Sequence, residues 1–244
     1  MSIIFLQNDF TEDSGNIADL YHPFSFTGLG VFDSMAAIDG ECQNFDYHLE
    51  RFCHDANNVM GAYDPSGILK NSAEHYRPLL SKNNLMSGHA RIRTVMAADN
   101  NNDIIFFICT GREKKPENTP ITCAIIEDYP REAGNILENC KRLDYSRSVK
   151  AREKAQSLGA EEAILTNTEG NIACGATSNI FIEEDGVLMT PPLSDGVLAG
   201  VTRRKIIEER EVIEESITPK KFKNATRAFL TNSFIGLREI QKII

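Results

Sequence analysis

Short apolar runs broken by turn residues alternate along this chain with stretches of three- and four-residue apolar spacing, the pattern of interleaved strands and helices. Ile3–Gln7 and Gly30–Ile38 read as strands. Asp39-Gly40 is a hairpin turn signal, with Glu41–Phe45 returning as a strand. Leu49, Phe52, Ala56 and Val59 or Met60 then recur at helical spacing, predicting a helix over Tyr47–Met60 with Asp46 as its cap. A second helix is expected over Ile68–Leu80. His89–Met96 and Ile104–Thr110 read as a hairpin around a polar turn at Ala98–Asp103. The charged, proline-bearing stretch Gly111–Pro120 breaks the pattern and is the natural linker.

Beyond it, Ile121–Ile126, Ala163–Asn167, Asn179–Glu183, Val187–Thr190 and Ala228–Thr231 read as strands. Ser146–Leu158 reads as a helix stopped by Gly159, and Thr202–Glu209 as another. The expectation is a mixed α/β protein. A smaller N-terminal α+β domain would span residues 1–112, a linker 113–120 and a larger C-terminal domain 121–244.

Composition narrows this picture little. The chain has 244 residues, long enough for one large domain or two small ones, and 26 Lys+Arg against 35 Asp+Glu give a net charge of −9. That sign argues against nucleic acid and anionic membranes as partners, while leaving room for a small anion in a local cationic pocket. Six cysteines stand singly without zinc spacing, which reads as reduced, buried thiols of a cytoplasmic protein. No basic, apolar leader is evident at Met1–Asp9, and no window approaches the roughly 20 apolar residues of a membrane span.

Candidate chemistry gathers in a few places. Lys141, in Lys141-Arg-Leu-Asp-Tyr145, sits ahead of a helix, where burial would lower its pKa and free its amine to attack an aldehyde. Leu198-Ala-Gly-Val-Thr-Arg203 opens a helix. Its first N–H groups form an anion site, although Thr202 read alone is equally an ordinary helix cap. Arg51, in His48-Leu-Glu-Arg51, offers planar bidentate donors, and read alone is an exposed helix charge. Arg91 and Arg93 alternate on one strand and so share a face, suited to a carboxylate or to surface ion pairs. A dinucleotide reading of Gly28-Leu-Gly30 is poor, because the third glycine is absent and no helix follows.

These segments, together with Gly175-Ala-Thr-Ser-Asn-Ile-Phe181 and Phe229-Leu-Thr-Asn-Ser-Phe-Ile-Gly236, resemble the class IV aminotransferases, pyridoxal-phosphate enzymes of fold type IV. The resemblance covers nearly the whole chain from Gly28. It implies a Schiff base between Lys141 and pyridoxal 5'-phosphate, and a hydrogen bond from Tyr145 to the cofactor's phenolic oxygen. It implies that Arg51, Gly200, Val201, Thr202, Asn232 and Ser233 hold the phosphate, with His48 structural. It places the C-terminal domain as a pseudo-barrel, and Phe32, Arg91 and Arg93 toward the substrate.

At one position the chain departs from the pattern. The family usually carries Glu before Gly175, paired with the pyridine nitrogen; here the residue is Cys174. Among the family's activities, the Thr-Asn-Ser ending and the Lys-x-Leu-Asp spacing are most similar to 4-amino-4-deoxychorismate lyase of folate biosynthesis. That enzyme makes 4-aminobenzoate and pyruvate. Branched-chain or D-amino-acid aminotransferase is the alternative, as is a cofactor-binding homologue impaired by Cys174. The resemblance further implies a homodimer acting on a small amino-acid-like molecule.

Overall fold

A computed structural model describes residues 3–6, 9–12, 28–61, 66–98, 104–114 and 119–244. The chain divides into two compact units, Met1–Lys115 with Lys141–Asp144, and Pro116–Cys140 with Tyr145–Ile244. Lys141–Asp144 is thus counted with the first unit, although the sequence reading put it in the C-terminal domain.

The first unit is built on a six-stranded antiparallel sheet in the order β2-β1-β6-β5-β3-β4. Its strands are β1 (Ile3–Leu6), β2 (Asp9–Glu12), β3 (Gly30–Ile38), β4 (Glu41–Cys42), β5 (His89–Ala98) and β6 (Ile104–Arg112). Two helices, α1 (Phe45–Met60) and α2 (Ser66–Lys82), accompany it. Alternation along β3 decides what meets what. Val31, Met35 and Ala37 lie on the buried face and join Phe52 and Ala56 of α1 and Leu79 and Leu80 of α2 in one apolar cluster. Asp33 falls on that same face, among apolar neighbours, and is 5 % exposed.

The turn at Asp39-Gly40 has positive φ at both residues, 49° and 80°, as the two-residue hairpin joining β3 to β4 requires. The returning strand is shorter than expected. It stops at Cys42, Asn44 adopts a left-handed φ of 54°, and α1 begins at Phe45. Asn44, not Asp46, occupies the cap position, and no side chain caps the helix. The expected turn at Ala98–Asp103 lies largely outside the described residues. β4 pairs only with the end of β3. The start of that edge is taken by the Lys141 segment: Phe32 N–H donates to the Lys141 carbonyl at 2.9 Å and Leu143 N–H to the Gly30 carbonyl at 3.0 Å.

The second unit holds an eight-stranded sheet in the order β12-β11-β10-β13-β14-β7-β8-β9. These are β7 (Ile121–Arg131), β8 (Glu162–Asn167), β9 (Ile172–Gly175), β10 (Asn179–Glu184), β11 (Val187–Thr190), β12 (Val212–Glu214), β13 (Arg227–Asn232) and β14 (Gly236–Ile243). The pairs β7/β8, β7/β14 and β11/β12 are parallel. The helices are α3 (Ser146–Ser157), α4 (Val201–Glu209) and α5 (Pro219–Asn224). α3 presents Ala151 and Ala155 to β7 and β8, and small side chains let its backbone approach closely. Its C-cap is Leu158, one residue before the expected Gly159.

All six cysteines are free. Only Cys123, Cys140 and Cys174 are buried; Cys42, Cys53 and Cys109 are half-buried, so the expectation of buried thiols holds for three positions. Among the described residues no helix is long and apolar enough to cross a membrane.

Candidate functional site

In the first unit, Lys141 is the centre of a charged cluster. Its main chain is fixed at both ends: the carbonyl by Phe32, and the N–H by Asp55 Oδ2 at 2.9 Å. Its ammonium nitrogen lies 4.3 Å from the centre of the Phe32 ring, which also receives the Arg93 guanidinium at 5.4 Å. Burial lowers the pKa of this lysine to about 7. Arg51 and Arg93 act in the same direction, while Asp33 and Asp55 oppose them. A large fraction of the amine is therefore neutral near physiological pH.

Arg51 and His48 lie one helical turn apart on α1, and both turn to Asp33. His48 Nδ1 is 2.6 Å from Asp33 Oδ1. Arg51 donates through Nε at 3.1 Å and through Nη2 to Asp33 Oδ2. Burial pushes the Asp33 carboxyl up, but Arg51 and then His48 outweigh it and hold it well below the ordinary carboxylate range. The bond pattern leaves Arg51 Nη1 without an acceptor among the described residues, so one donor edge remains for an anion.

Arg93 and Arg91 share a face of β5 but differ in their surroundings. Arg91 is 40 % exposed and pairs with Glu113 at 2.7 Å. Arg93 donates to Ser34 Oγ at 3.3 Å and has no carboxylate partner among the described residues. Phe32, Arg51, Arg93 and Lys141 are brought together; Arg91 is engaged elsewhere.

The second unit gathers the other candidates around the loop from Cys174 to Asn179. Tyr145 donates its hydroxyl to the Ala176 carbonyl at 3.1 Å. Asn232 Nδ2 donates to the Thr177 carbonyl at 3.1 Å, while its Oδ1 accepts from the N–H groups of Phe234 and Ile235 and shapes the turn holding half-buried Ser233. Asn179 Nδ2 donates to the Leu198 carbonyl at 2.8 Å.

Asn179 also bears on Gly200: a Cβ there would stand 1.9 Å from Asn179 Oδ1, so a larger residue would have to displace the Asn179 side chain and its bond to Leu198. Gly200 is the N-cap of α4 and no side chain caps that helix, so Thr202 lies inside it and is not its cap. The first bond back to Gly200 comes from Arg204 at 2.9 Å. The N–H groups of Val201, Thr202 and Arg203 have no acceptor among the described residues, an open anion site at the positive end of the helix.

Cys174 is 3 % exposed. Burial raises its pKa; Arg131 pulls it down, and Glu138 and Glu162 push it up again. The thiol is neutral at pH 7. Around it lies a feature the sequence did not disclose: buried Glu138, 2.9 Å from Arg131 Nε and 2.6 Å from Arg147 Nη1.

In the first unit the amine of Lys141 suits an aldehyde; in the second unit the open helix start, taken by itself, suits a phosphate. The thiol does not fit as a negative partner for a protonated ring nitrogen.

Known proteins resemble this chain along nearly its whole length. A family model described as amino-transferase class IV matches residues 30–243. A D-alanine aminotransferase of Staphylococcus epidermidis is 26 % identical, the match covering all of this chain and 89 % of the relative. An aminodeoxychorismate lyase of Bacillus subtilis is 24 % identical, with 99 % and 86 % covered. Among solved structures, a branched-chain aminotransferase of Thermoproteus uzoniensis with norvaline superposes with a TM-score of 0.87 at 25 % identity, covering 99 % of this chain and 87 % of that one.

Proposed function

The chain belongs to the class IV aminotransferase family, whose members are pyridoxal-phosphate enzymes of mixed α/β, fold-type-IV architecture, and from that premise we propose that it is a lyase of the aminodeoxychorismate type. The products would be 4-aminobenzoate and pyruvate. The observation that carries a reactive site is the buried, cation-flanked amine of Lys141. The lyase reading draws on the Thr231-Asn-Ser233 turn and on the similarity to the Bacillus subtilis lyase.

Bound pyridoxal phosphate supplies an aldehyde for amino groups and a ring that withdraws electrons from the substrate's α-carbon. Lys141 would hold it covalently. By resemblance to the family, Arg51, the N–H groups at the start of α4, the Thr202 hydroxyl and the Asn232–Ser233 turn would take its phosphate. Gly200 and Val201 shape that start, and Tyr145 would steer the phenolic oxygen once its hydroxyl turns from the Ala176 carbonyl. Lys141 would also serve as the base, taking the α-proton and returning a proton as pyruvate departs. Arg93, stacked on Phe32 without a carboxylate partner among the described residues, is suited to a substrate carboxylate; Arg91 would contribute only after leaving Glu113.

Aminotransferase activity is the second reading, favoured by the D-alanine aminotransferase relative. In it the same lysine would take the substrate's α-proton and pass it on during transfer of the amino group. The enzyme would act in the cytoplasm as a homodimer. Turnover of aminodeoxychorismate, measured against a panel of D-, L- and branched-chain amino acids with keto acids, tests the choice. Release of 4-aminobenzoate supports the lyase; keto-acid-dependent transfer alone overturns it.

Cys174 bears on rate in either case. If Cys174 takes the place of the family's Glu, a neutral thiol there would give the ring nitrogen no anionic partner and would weaken electron withdrawal. Cys174→Glu is expected to raise turnover on the preferred substrate about tenfold, roughly what 1.4 kcal/mol of added transition-state stabilisation gives. Steady-state kinetics on cofactor-saturated protein measures it; unchanged turnover would show that the thiol is an adequate substitute.

A further inference from the structure

Two buried carboxylates act on Lys141, and they are answered differently. Asp33 is matched by Arg51 and His48. Asp55, 1 % exposed, sits one turn further along α1 than Arg51. Its Oδ2 accepts the Lys141 main-chain N–H at 2.9 Å, and among the described residues its Oδ1 has a single long contact, 3.4 Å, to the exposed His54 ring. An ionised carboxylate on the buried face of a helix is costly unless it has donors. Here its well-formed bond is to the residue whose amine the chemistry needs.

We propose that Asp55 is a positioning residue for Lys141: its buried carboxylate ties the lysine's main chain to α1 and holds a negative charge beside the amine. This rests on reading Lys141 as the reactive amine. The tie works with the one from Phe32. Strand β3 holds the carbonyl side of Lys141 and α1 holds the amide side, so the side chain leaves from a backbone with both polar groups fixed. Burial raises the pKa of Asp55, against the Lys141 amide and Arg51, which lower it. Its charge opposes Arg51 and Arg93, the two cations facing the same amine, and adds to that of Asp33. Without Asp55 the cations gain weight, and the amine loses its proton at lower pH.

The two parts of the role separate by substitution. Asp55→Asn keeps an acceptor for the amide and removes the charge. Asp55→Ala removes both. The full chain without cofactor is acetylated with acetic anhydride over a pH series, and the extent at Lys141 is read by mass spectrometry. Capture of added pyridoxal phosphate is followed in parallel by absorbance.

In the parent protein the acetylation midpoint is expected near pH 7. Asp55→Asn should move it down by about half a unit or more, a shift a purely structural residue would not produce, with capture at saturating pH retained. Asp55→Ala should show the same shift and capture slower by about tenfold. Midpoints in both variants equal to the parent's would overturn the role of Asp55 while leaving Lys141 reactive. A parent midpoint near that of an ordinary lysine, with no capture, would instead overturn the reading of Lys141 and the inference with it.

Discussion

Lys141→Ala is expected to abolish covalent capture of pyridoxal phosphate and to lower turnover by about 10³-fold or more, the upper part of the range for loss of a positioned proton-transfer group. Borohydride reduction of the cofactor-loaded parent should fix the cofactor to the peptide containing Lys141, giving a mass increase that the variant lacks. The buried amine and its cationic neighbours set the pH dependence. Condensation with an aldehyde needs the neutral amine, so capture by the parent should rise with pH through a midpoint near 7, where an exposed lysine would require a pH near 10. A parent that captures cofactor equally well after Lys141→Ala would place the reactive amine elsewhere.

Asp33→Ala should be the most damaging substitution for the fold of the first unit. It strands His48 and Arg51, whose side chains are 4 % and 9 % exposed, without their shared anion. Removing one member of a buried ionic group costs about 3–5 kcal/mol, which in a chain of this size is a fall of about 10 °C in the midpoint of thermal unfolding. The sign with pH follows from the lowered pKa of Asp33. Its contribution is present above the unfolded carboxyl's pKa, near 4, and fades as pH falls below that value. Melting curves for parent and variant should therefore differ most at neutral pH and converge in acid. Cofactor affinity should fall in the same variant at temperatures where it stays folded, because Arg51 loses the carboxylate that aims it.

Much of this arrangement was legible in the order of residues. The helical spacing after Asp46, the Asp39-Gly40 turn and the apolar runs from Ile121 onward each follow from local rules that the packing did not override. What stayed hidden is instructive. β9, Ile172-Ala-Cys-Gly175, is buried at all four residues and so shows no alternation. β14 carries Arg238, Glu239, Gln241 and Lys242 among its apolar residues and shows no clear period, yet β13 and β7 pair with it on either side. Thr202 carries a capping residue's identity, but the helix starts at Val201 with Gly200 as its cap, and Thr202 is already inside it.

The candidate site divides the same way. Lys141, Arg51 and Phe32 stood out by motif, whereas Asp33, Asp55 and Glu138 did not, because their partners lie 15 to 86 positions away along the chain for the two aspartates. One local clue existed. Val31, Asp33, Met35 and Ala37 share a strand face, and a carboxylate in that row calls for a cation opposite, which His48 and Arg51 supply at helical spacing.

The edge of β3 has a consequence for biosynthesis. Gly30 and Phe32 wait for partners that lie beyond more than a hundred intervening residues. A ribosome delivering the chain from its N-terminus releases the first sheet with half of one edge open, and that edge closes only after the Lys141 segment has emerged. Closing so long a loop is slow, and an open strand edge in the interval invites pairing with other chains. The nascent protein is thus most exposed to aggregation in the span of synthesis that precedes the arrival of its reactive lysine.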